Sequence, residues 1–181
     1  MIVEGRTERL ILRPQELADA EQIQTLFPQW EIVRYLMNRV PWPYPAEGAL
    51  SYIRDVALPQ IKREEAWHWT MRLAAEPEQI IGSISLFRGS QDNRGFWLGP
   101  HWRGQGLMSE ASVWVNDFWF STLGFEVLRV SKAVGNTASR RISESQGMRL
   151  VGHGEKDYVC GHLPSEIWEI TAEEWRAWKA R

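Results

Sequence analysis

Apolar residues along this chain recur at two spacings, one typical of helices and the other typical of strands. Ala20, Ile23, Leu26 and Phe27 recur at helical intervals and are followed by Pro28, so the pattern predicts a helix that ends there. Other segments alternate in polarity or are rich in branched and aromatic side chains, which predicts strands. The predicted strands are 7–13, 67–74, 80–87, 94–99, 127–134 and the later runs MRLVG and SEIWEIT.

Further helices and turns complete this pattern. Leu107, Ala111, Trp114, Val115 and Phe118 would share one face of a helix that follows a glycine-rich turn. The segment AEPEQ is predicted to be the hairpin turn between the second and third strands. The other helices are predicted near 31–37, over 46–57, from Asn136, which can cap it, to about Gln146, and after Thr171, which has capping-box spacing to Glu174.

The order of these elements predicts the fold class. It is strand, helices, several strands, then strand–helix–strand–helix–strand. We therefore expect an α/β domain with flanking helices and a mixed central sheet, antiparallel in its N-terminal half and with a parallel crossover at the glycine-rich turn. The length of 181 residues suits one domain over 1–181.

Composition narrows the functional classes. A formal net charge of −2 gives no basic field for nucleic acid. Cys160 is the only cysteine, which excludes an intrachain disulfide and fits a reducing compartment. No signal-peptide core or membrane-spanning run is apparent, and no His/Cys/acid cluster has metal-ligand spacing. We expect a cytoplasmic monomer or homodimer without a metal or a membrane partner.

Tryptophan is unusually frequent, with eleven in the chain. Core packing and surface anchoring account for most of them. Trp30, Trp42, Trp67 and Trp69 are the candidates for lining a substrate cleft or a dimer interface.

The glycine-rich turn Arg103–Met108 is the segment with the clearest chemistry. It lies between a predicted strand and a predicted helix, where backbone amides and the helix dipole favour an anion. Glycine allows the backbone to approach a phosphate because it has no Cβ. The segment therefore predicts a pyrophosphate cradle, and an ordinary tight turn is the alternative.

Three phosphate ligands are compatible with such a turn to different degrees. A Walker-type loop needs a lysine and a serine or threonine after its last glycine, and neither is present. A dinucleotide-binding turn is closer, since Gly104, Gly106 and Ser109 approximate its spacing. Its acidic residue is not well placed, however, because Glu126 stands at the start of the next strand and too little chain follows for a doubly wound sheet. Coenzyme A is the third option.

Four segments resemble a known family. RGQGLM resembles the signature of the GNAT superfamily, Gln/Arg-x-x-Gly-x-Gly/Ala, with Met108 in place of the last small residue. NTASRRISESQGM resembles the family's Asn-x-x-Ser/Ala stretch, with Met148 where an aromatic residue is usual. TERLILRP and YVCGHLPSEIWEI resemble the opening and closing segments of its ribosomal-protein N-acetyltransferase (RimJ/RimL-like) branch.

The resemblance implies the GNAT fold, acetyl-CoA as co-substrate and a set of cofactor contacts. The pantetheine arm would pair with backbone at 98–100, the pyrophosphate would lie on the amides of 103–108, and Asn136 would contact the arm. Arg140 would meet a cofactor phosphate, or would simply be an exposed helical arginine. The cofactor-binding residues implied are Leu98, Gly99, Pro100, Arg103, Gly104, Gln105, Gly106, Leu107, Met108, Asn136 and Arg140.

Catalysis of acetyl transfer needs a neutral amine, a polarised thioester and a donor for the departing thiolate. By the resemblance, Ser139 would stand near the cofactor sulfur and donate a hydrogen bond; stabilisation of the first turn of its helix is the alternative role. Ser143 holds the position where many members carry an acidic tyrosine. Cys160 lies in a predicted turn and is not expected to act as a nucleophile.

No general base is evident. Many members carry a glutamate on the strand before the glycine loop, but here residues 94–97 are Arg-Gly-Phe-Trp. The remaining candidates are Asp92, Glu155, Asp157, His68 and His101.

The function expected from these residues is direct transfer of acetyl from acetyl-CoA to a primary amine, with a protein or peptide α-amine favoured. The alternatives are a small-molecule amine acetyltransferase acting on a polyamine, an aminoglycoside or an amino acid, and a non-catalytic acyl-CoA-binding module.

Overall fold

A computed structural model describes residues 1–89 and 91–181. The strands are β1 (Gly5–Arg6), β2 (Leu10–Pro14), β3 (Ala66–Leu73), β4 (Glu76–Phe87), β5 (Arg94–Leu98), β6 (Val127–Ala133), β7 (Arg149–Tyr158) and β8 (Gly161–Thr171). The α-helices are α1 (Ala20–Leu26), α2 (Trp30–Val33), α3 (Gly48–Tyr52), α4 (Leu58–Lys62), α5 (Leu107–Asp117), α6 (Thr137–Ser145) and α7 (Ala172–Lys179). Single π turns follow α3 and α5, at Ile53–Ala57 and Phe118–Thr122, and 3-10 turns cover Leu17–Asp19 and Pro100–Trp102.

The strands form two sheets, one in the order β1-β2-β3-β4-β5 and the other in the order β6-β8-β7. The α/β class is confirmed. The prediction of one mixed sheet is wrong, because every ladder in the described part of the chain is antiparallel and none joins β5 to β6. The two sheets are linked where β5 begins: the Asn93 amide donates to the Arg129 carbonyl at 2.7 Å, and the Asn93 side chain accepts from the Arg129 amide at 2.9 Å. The crossover helix α5 is present, but its two strands separate beyond this point.

The hairpin between β3 and β4 also differs from the prediction. Only Ala74 and Ala75 form the turn, and AEPEQ lies mostly within β4. Leu73 pairs with Glu76 while Arg72 pairs with Ile80, so the intervening residues bulge out of the ladder. Pro77 is tolerated in this bulge, since it has no amide to donate.

The sheet β1–β5 separates two cores. Side chains alternate along β3, so Trp67, Trp69 and Met71 pack in one core with α5. Trp67 and Trp69 are at most 1% exposed, and they are therefore wrong as cleft candidates. Trp30 and Trp42 are 43% and 42% exposed and contact each other at a ring-centroid distance of 5.8 Å.

The opposite face of β3 carries a buried ion pair. Arg72 Nη2 lies 2.7 Å from Asp19 Oδ1, and both side chains are 3% exposed. Arg72 also donates to the carbonyls of Pro77 and Glu78, so this pair ties the turn before α1 to the bulge in β4.

Replacing Asp19 should strongly destabilise the protein. Asp19→Ala would leave the Arg72 guanidinium buried without its counter-ion, and we expect the free energy of unfolding to fall by about 3–5 kcal/mol. Urea denaturation measures the loss. The control Asp55→Ala removes half of an exposed pair with Arg54 and should leave stability nearly unchanged. Equal losses in the two variants would contradict the prediction.

Candidate active site

The glycine-rich loop leads from β5 into α5 through two left-handed glycines. Gly104 and Gly106 have φ of +74° and +77°, a region that favours glycine. A Cβ at Gly104 would meet no atom within 4 Å, and at Gly106 it would meet only Arg9 Nη2, at 3.5 Å. The backbone on this side of the loop is therefore open.

The amides of this loop are free. Within the described residues, none of the backbone N–H groups of 104–108 donates a hydrogen bond inside the chain. The first amides of a helix have no intrahelical partner, and they carry the positive end of the helix dipole. A run of free amides at the start of an eleven-residue helix can hold an anion.

Two arginines fix the loop. Arg103 donates from Nε to the Leu98 carbonyl at 3.1 Å and from Nη2 to the Glu31 carbonyl at 2.9 Å. Burial lowers the pKa of the Arg103 guanidinium, and nearby Arg34 adds to this effect. The Arg103 backbone amide also has a partner, the Pro100 carbonyl at 3.3 Å. A phosphate at this loop would therefore meet the amides of 104–108 rather than either donor group of Arg103.

The second arginine, Arg9, was missed by the sequence analysis. It donates from Nη1 to the Gln105 carbonyl at 2.8 Å and from Nε to Glu110 at 2.7 Å. Although burial raises the pKa of Glu110, hydrogen bonds from Thr7 and Arg9 lower it overall. The carboxylate therefore remains charged and holds Arg9 beside the loop as half of an ion pair, so a phosphate would have to compete with Glu110 for the Arg9 guanidinium.

The end of β5 places its backbone groups on alternating sides. The Gly99 amide donates to the Ile81 carbonyl at 2.8 Å, so Gly99 is directed towards β4. The groups of Phe96 and Leu98 then point to the edge that β6 leaves unpaired. Leu98 is consistent with the expected backbone contact to a cofactor arm, Gly99 is already bonded, and Phe96 was missed by sequence reasoning.

Met108 and Leu107 are the two loop residues whose side chains are buried, at 6% and 2% exposure. Both belong to the core beneath α5. The Met108 side chain therefore leaves the face of the loop that bears the free amides.

Asn136 caps α6, as predicted. Its side-chain oxygen accepts from the Ser139 amide at 3.4 Å. Ser139 is partly exposed, and among the described residues its hydroxyl makes no hydrogen bond. Arg140 donates to Glu144 at 3.1 Å, lies 3.3 Å from Glu166 and covers the Trp168 ring. A phosphate would have to compete with these carboxylates for the Arg140 guanidinium.

A buried basic cluster lies beside α6. Lys132 donates to the Ser143 hydroxyl at 2.5 Å and to the Ser139 carbonyl at 2.8 Å. Burial, together with the nearby Arg94 charge, lowers the pKa of Lys132 to about 7. Lys132 is not among the site residues predicted from the sequence.

Arg94 lies on β5, the strand on which many GNAT members carry the glutamate that serves as general base. It donates to Asn116 at 2.8 Å and to Gln146 at 3.1 Å, and burial lowers its pKa to about 10. It remains a cation there, so this position cannot accept a proton from an amine.

Two other candidates for the general base, Asp92 and His68, already make hydrogen bonds within the chain. Asp92 accepts from the Ser131 amide at 2.7 Å and from Lys156 at 3.0 Å. His68 is 1% exposed, contacts Ser85 and Gln60, and has its pKa lowered by burial to about 4. It is therefore neutral and held in the core.

The last candidates lie on the surface. His162 contacts Asp157 at 2.7 Å and Glu155 at 3.4 Å, and their carboxylates raise its pKa. His101 and Cys160 are exposed.

Neither a metal site nor a membrane span emerges from the residues that the structure describes. No group of three or more His, Cys, Asp or Glu side chains could hold a metal ion. No helix there combines the length and apolar character needed to cross a bilayer.

Comparison with known proteins agrees with this geometry. The model of a family described as "Acetyltransferase (GNAT) domain" matches residues 9–149. Probable N-acetyltransferase YjcK of Bacillus subtilis (strain 168) is 26% identical over 175 residues, which is 93% of this chain and 92% of that protein.

Two solved structures show similarity in fold. The ribosomal-protein-S5-alanine acetyltransferase from Vibrio fischeri superposes with a TM-score of 0.80 at 17% identity, covering 96% of this chain and 99% of that one. RimL, a ribosomal L7/L12 alpha-N-protein acetyltransferase in complex with coenzyme A, superposes with a TM-score of 0.78 at 15% identity, covering 92% and 96%.

Proposed function

Because this chain belongs to the GNAT family of N-acetyltransferases, we propose that it transfers the acetyl group of acetyl-CoA directly to the α-amine of a protein or peptide. The observation that supports acetyl-CoA as the acetyl donor is the run of free amides at 104–108, which leads into the first turn of α5. An acyl-CoA carries a pyrophosphate, and this group matches amides that have no partner in the part of the chain that the structure describes.

The rest of the donor fits the gap between the sheets. The edge of β5 has no ladder partner in the described chain, so the backbone groups of Phe96 and the amide of Leu98 are available to an extended pantetheine arm. The Leu98 carbonyl already accepts from Arg103. Asn136 and Ser139 lie at the start of α6 on the other side of the gap. In this arrangement the thioester lies near Ser139, whose hydroxyl makes no hydrogen bond within the described residues and donates to the sulfur as charge develops there.

The choice of an α-amine as the acceptor is supported by the absence of a general base on β5. Arg94 is the only ionisable residue in that strand, and it remains a cation. An enzyme without a strong base does best on an amine that is already partly neutral. An α-amine has a pKa of about 7.7–8.0, against about 10.4 for a lysine side chain, so far more of the α-amine is unprotonated near neutral pH.

This proposal also agrees with what the similar structures are described as modifying. The Vibrio fischeri protein is a ribosomal-protein-S5-alanine acetyltransferase, and RimL is an alpha-N-protein acetyltransferase.

A peptide with a free N-terminus and one internal lysine tests the acceptor. We expect acetylation predominantly at the α-amine, located by fragmentation in a mass spectrometer, with CoA release measured by a thiol reagent. An otherwise identical peptide with a blocked N-terminus is the control and should be nearly inactive. Exclusive lysine modification, or turnover on polyamines alone, would show the acceptor class to be wrong; binding of acetyl-CoA without turnover on any amine would favour a non-catalytic module.

A further inference from the structure

The buried Lys132 has no role in the function proposed so far. It lies on β6, is 4% exposed, and places its Nζ between the Ser139 carbonyl and the Ser143 hydroxyl. These two oxygens come from successive turns of α6, on the side of the helix that faces β6. The Trp168 ring covers the ammonium group at 5.9 Å.

The carboxylates near Lys132 are paired with other cations. Glu166 on β8 lies 3.3 Å from Arg140, and Asp92 lies 3.0 Å from Lys156. None of the ion pairs formed within 1–89 and 91–181 includes Lys132 itself. A buried ammonium without a carboxylate is costly, and such groups are enriched at functional sites.

Burial and four charged groups set the protonation of Lys132. Burial is the largest influence, and the Arg94 charge on β5 acts in the same direction. Asp92, Glu166 and Glu144 oppose them. The resulting pKa of about 7 means that both protonation states are populated at neutral pH. A group in this condition can release a proton and regain it during a catalytic cycle.

We propose that Lys132 supplies the proton that the departing CoA thiolate takes up, and that Ser143 orients its ammonium group. This inference rests on the proposed function, which brings the thioester sulfur beside Ser139. Lys132 donates to the backbone carbonyl of that residue, so its ammonium group lies beside the first turns of α6, next to the residue where the proposed function brings the sulfur. Ser143 is fully buried and fixes the ammonium through its hydroxyl.

The neutral amine forms a bond to the thioester carbonyl carbon, and the carbon–sulfur bond breaks with its electron pair remaining on sulfur. The sulfur takes a proton from Lys132, which becomes neutral. The attacking nitrogen loses its excess proton to water, and Lys132 recovers one from solvent, so no net proton is consumed.

Kinetics of Lys132→Met test the role of the ammonium group. Methionine keeps an unbranched apolar stem against Trp168 but carries no proton. We expect kcat to fall about 10²-fold, at the lower end of the range for a positioned acid–base group, while KM for acetyl-CoA stays nearly constant. In the wild type, measured with an acceptor whose amine is already neutral at pH 6, kcat should decline as pH rises through about 7, because the acid form of Lys132 is lost. This decline should disappear in the variant.

The matched control is Lys62→Met, at an exposed lysine of α4, which should keep the wild-type kcat and pH profile.

A measurement that does not depend on turnover uses NMR titration of the lysine side chains in the wild-type protein. The Lys132 resonance is identified by its absence in Lys132→Met or Lys132→Gln. Because CoA itself is a neutral thiol at the pH where Lys132 titrates, the anionic probe is S-carboxymethyl-CoA, whose carboxylate stands for the negative charge that develops beside the ammonium. It should raise the titration midpoint by about 1–3 pH units relative to the acetyl-CoA complex, where the group at this position is uncharged.

Equal midpoints in the two complexes, or a Lys132→Met variant with wild-type kcat and pH profile, would overturn this inference alone. Failure of the wild type to bind acetyl-CoA would overturn it together with the proposed function.

Discussion

Gly106→Val should abolish acetyl-CoA binding while leaving the fold intact. Gly106 adopts φ of +77° and directly precedes the first residue of α5. A β-branched residue is strained in this conformation, and its side chain would cover amides that no other group of the described chain uses. We expect calorimetry to show a loss of affinity of at least about 10²-fold, since two or more charge-assisted hydrogen bonds would be lost.

Gly124→Val separates loss of binding from backbone strain. Gly124 also has a positive φ, +73°, with no atom within 4 Å of an added Cβ, but it follows the far end of the helix. Both variants should lose about 1–3 kcal/mol of stability to strain, and only Gly106→Val should lose the ligand. Unchanged affinity in Gly106→Val would remove the basis for the cradle. Tighter binding of NAD than of acetyl-CoA would favour the dinucleotide interpretation.

Local signals made much of the fold predictable. The apolar face from Leu107 to Phe118, the Asn136 cap and the Thr171–Glu174 capping box each depend on residues within one or a few helical turns. Their physical causes, amphipathic burial and satisfaction of the first helical amides, can be judged from sequence spacing alone. These elements were therefore predicted close to their observed bounds.

Features that depend on distant residues were not predictable in the same way. The sequence at 76–79 is typical of a turn, but these residues form a bulge in β4. Arg72 stabilises the bulge by donating hydrogen bonds to the carbonyls of Pro77 and Glu78. The absence of a β5–β6 ladder within the described chain depends on how two sheets pack, which no local pattern encodes.

The residues of the candidate site also differ in whether local or distant contacts define them. Glycines opening a helix after a strand form a local signal, so the loop at 103–108 was found. Lys132 lies on a strand whose pattern gave no sign that its ammonium is buried. Its burial depends on contacts with α6 and β8, and its partner Ser143 lies eleven residues further along the chain. Arg9 was missed for a similar reason, since it reaches a loop 96 residues away.

Ser139→Ala should separate the two roles considered for this residue. The bond that caps α6 uses the Ser139 backbone amide, so alanine retains it, and the hydroxyl makes no other hydrogen bond in the described structure. If the hydroxyl assists the departing thiolate, kcat should fall about 10²–10⁴-fold, with a much smaller effect on acetyl-CoA binding. Stopped-flow thiol release and calorimetry measure the two quantities. The control Ser145→Ala removes another hydroxyl from α6, one that donates to the Ile142 carbonyl, and should retain turnover. A Ser139→Ala variant that melts at a lower temperature but keeps its kcat would assign Ser139 to helix stability instead.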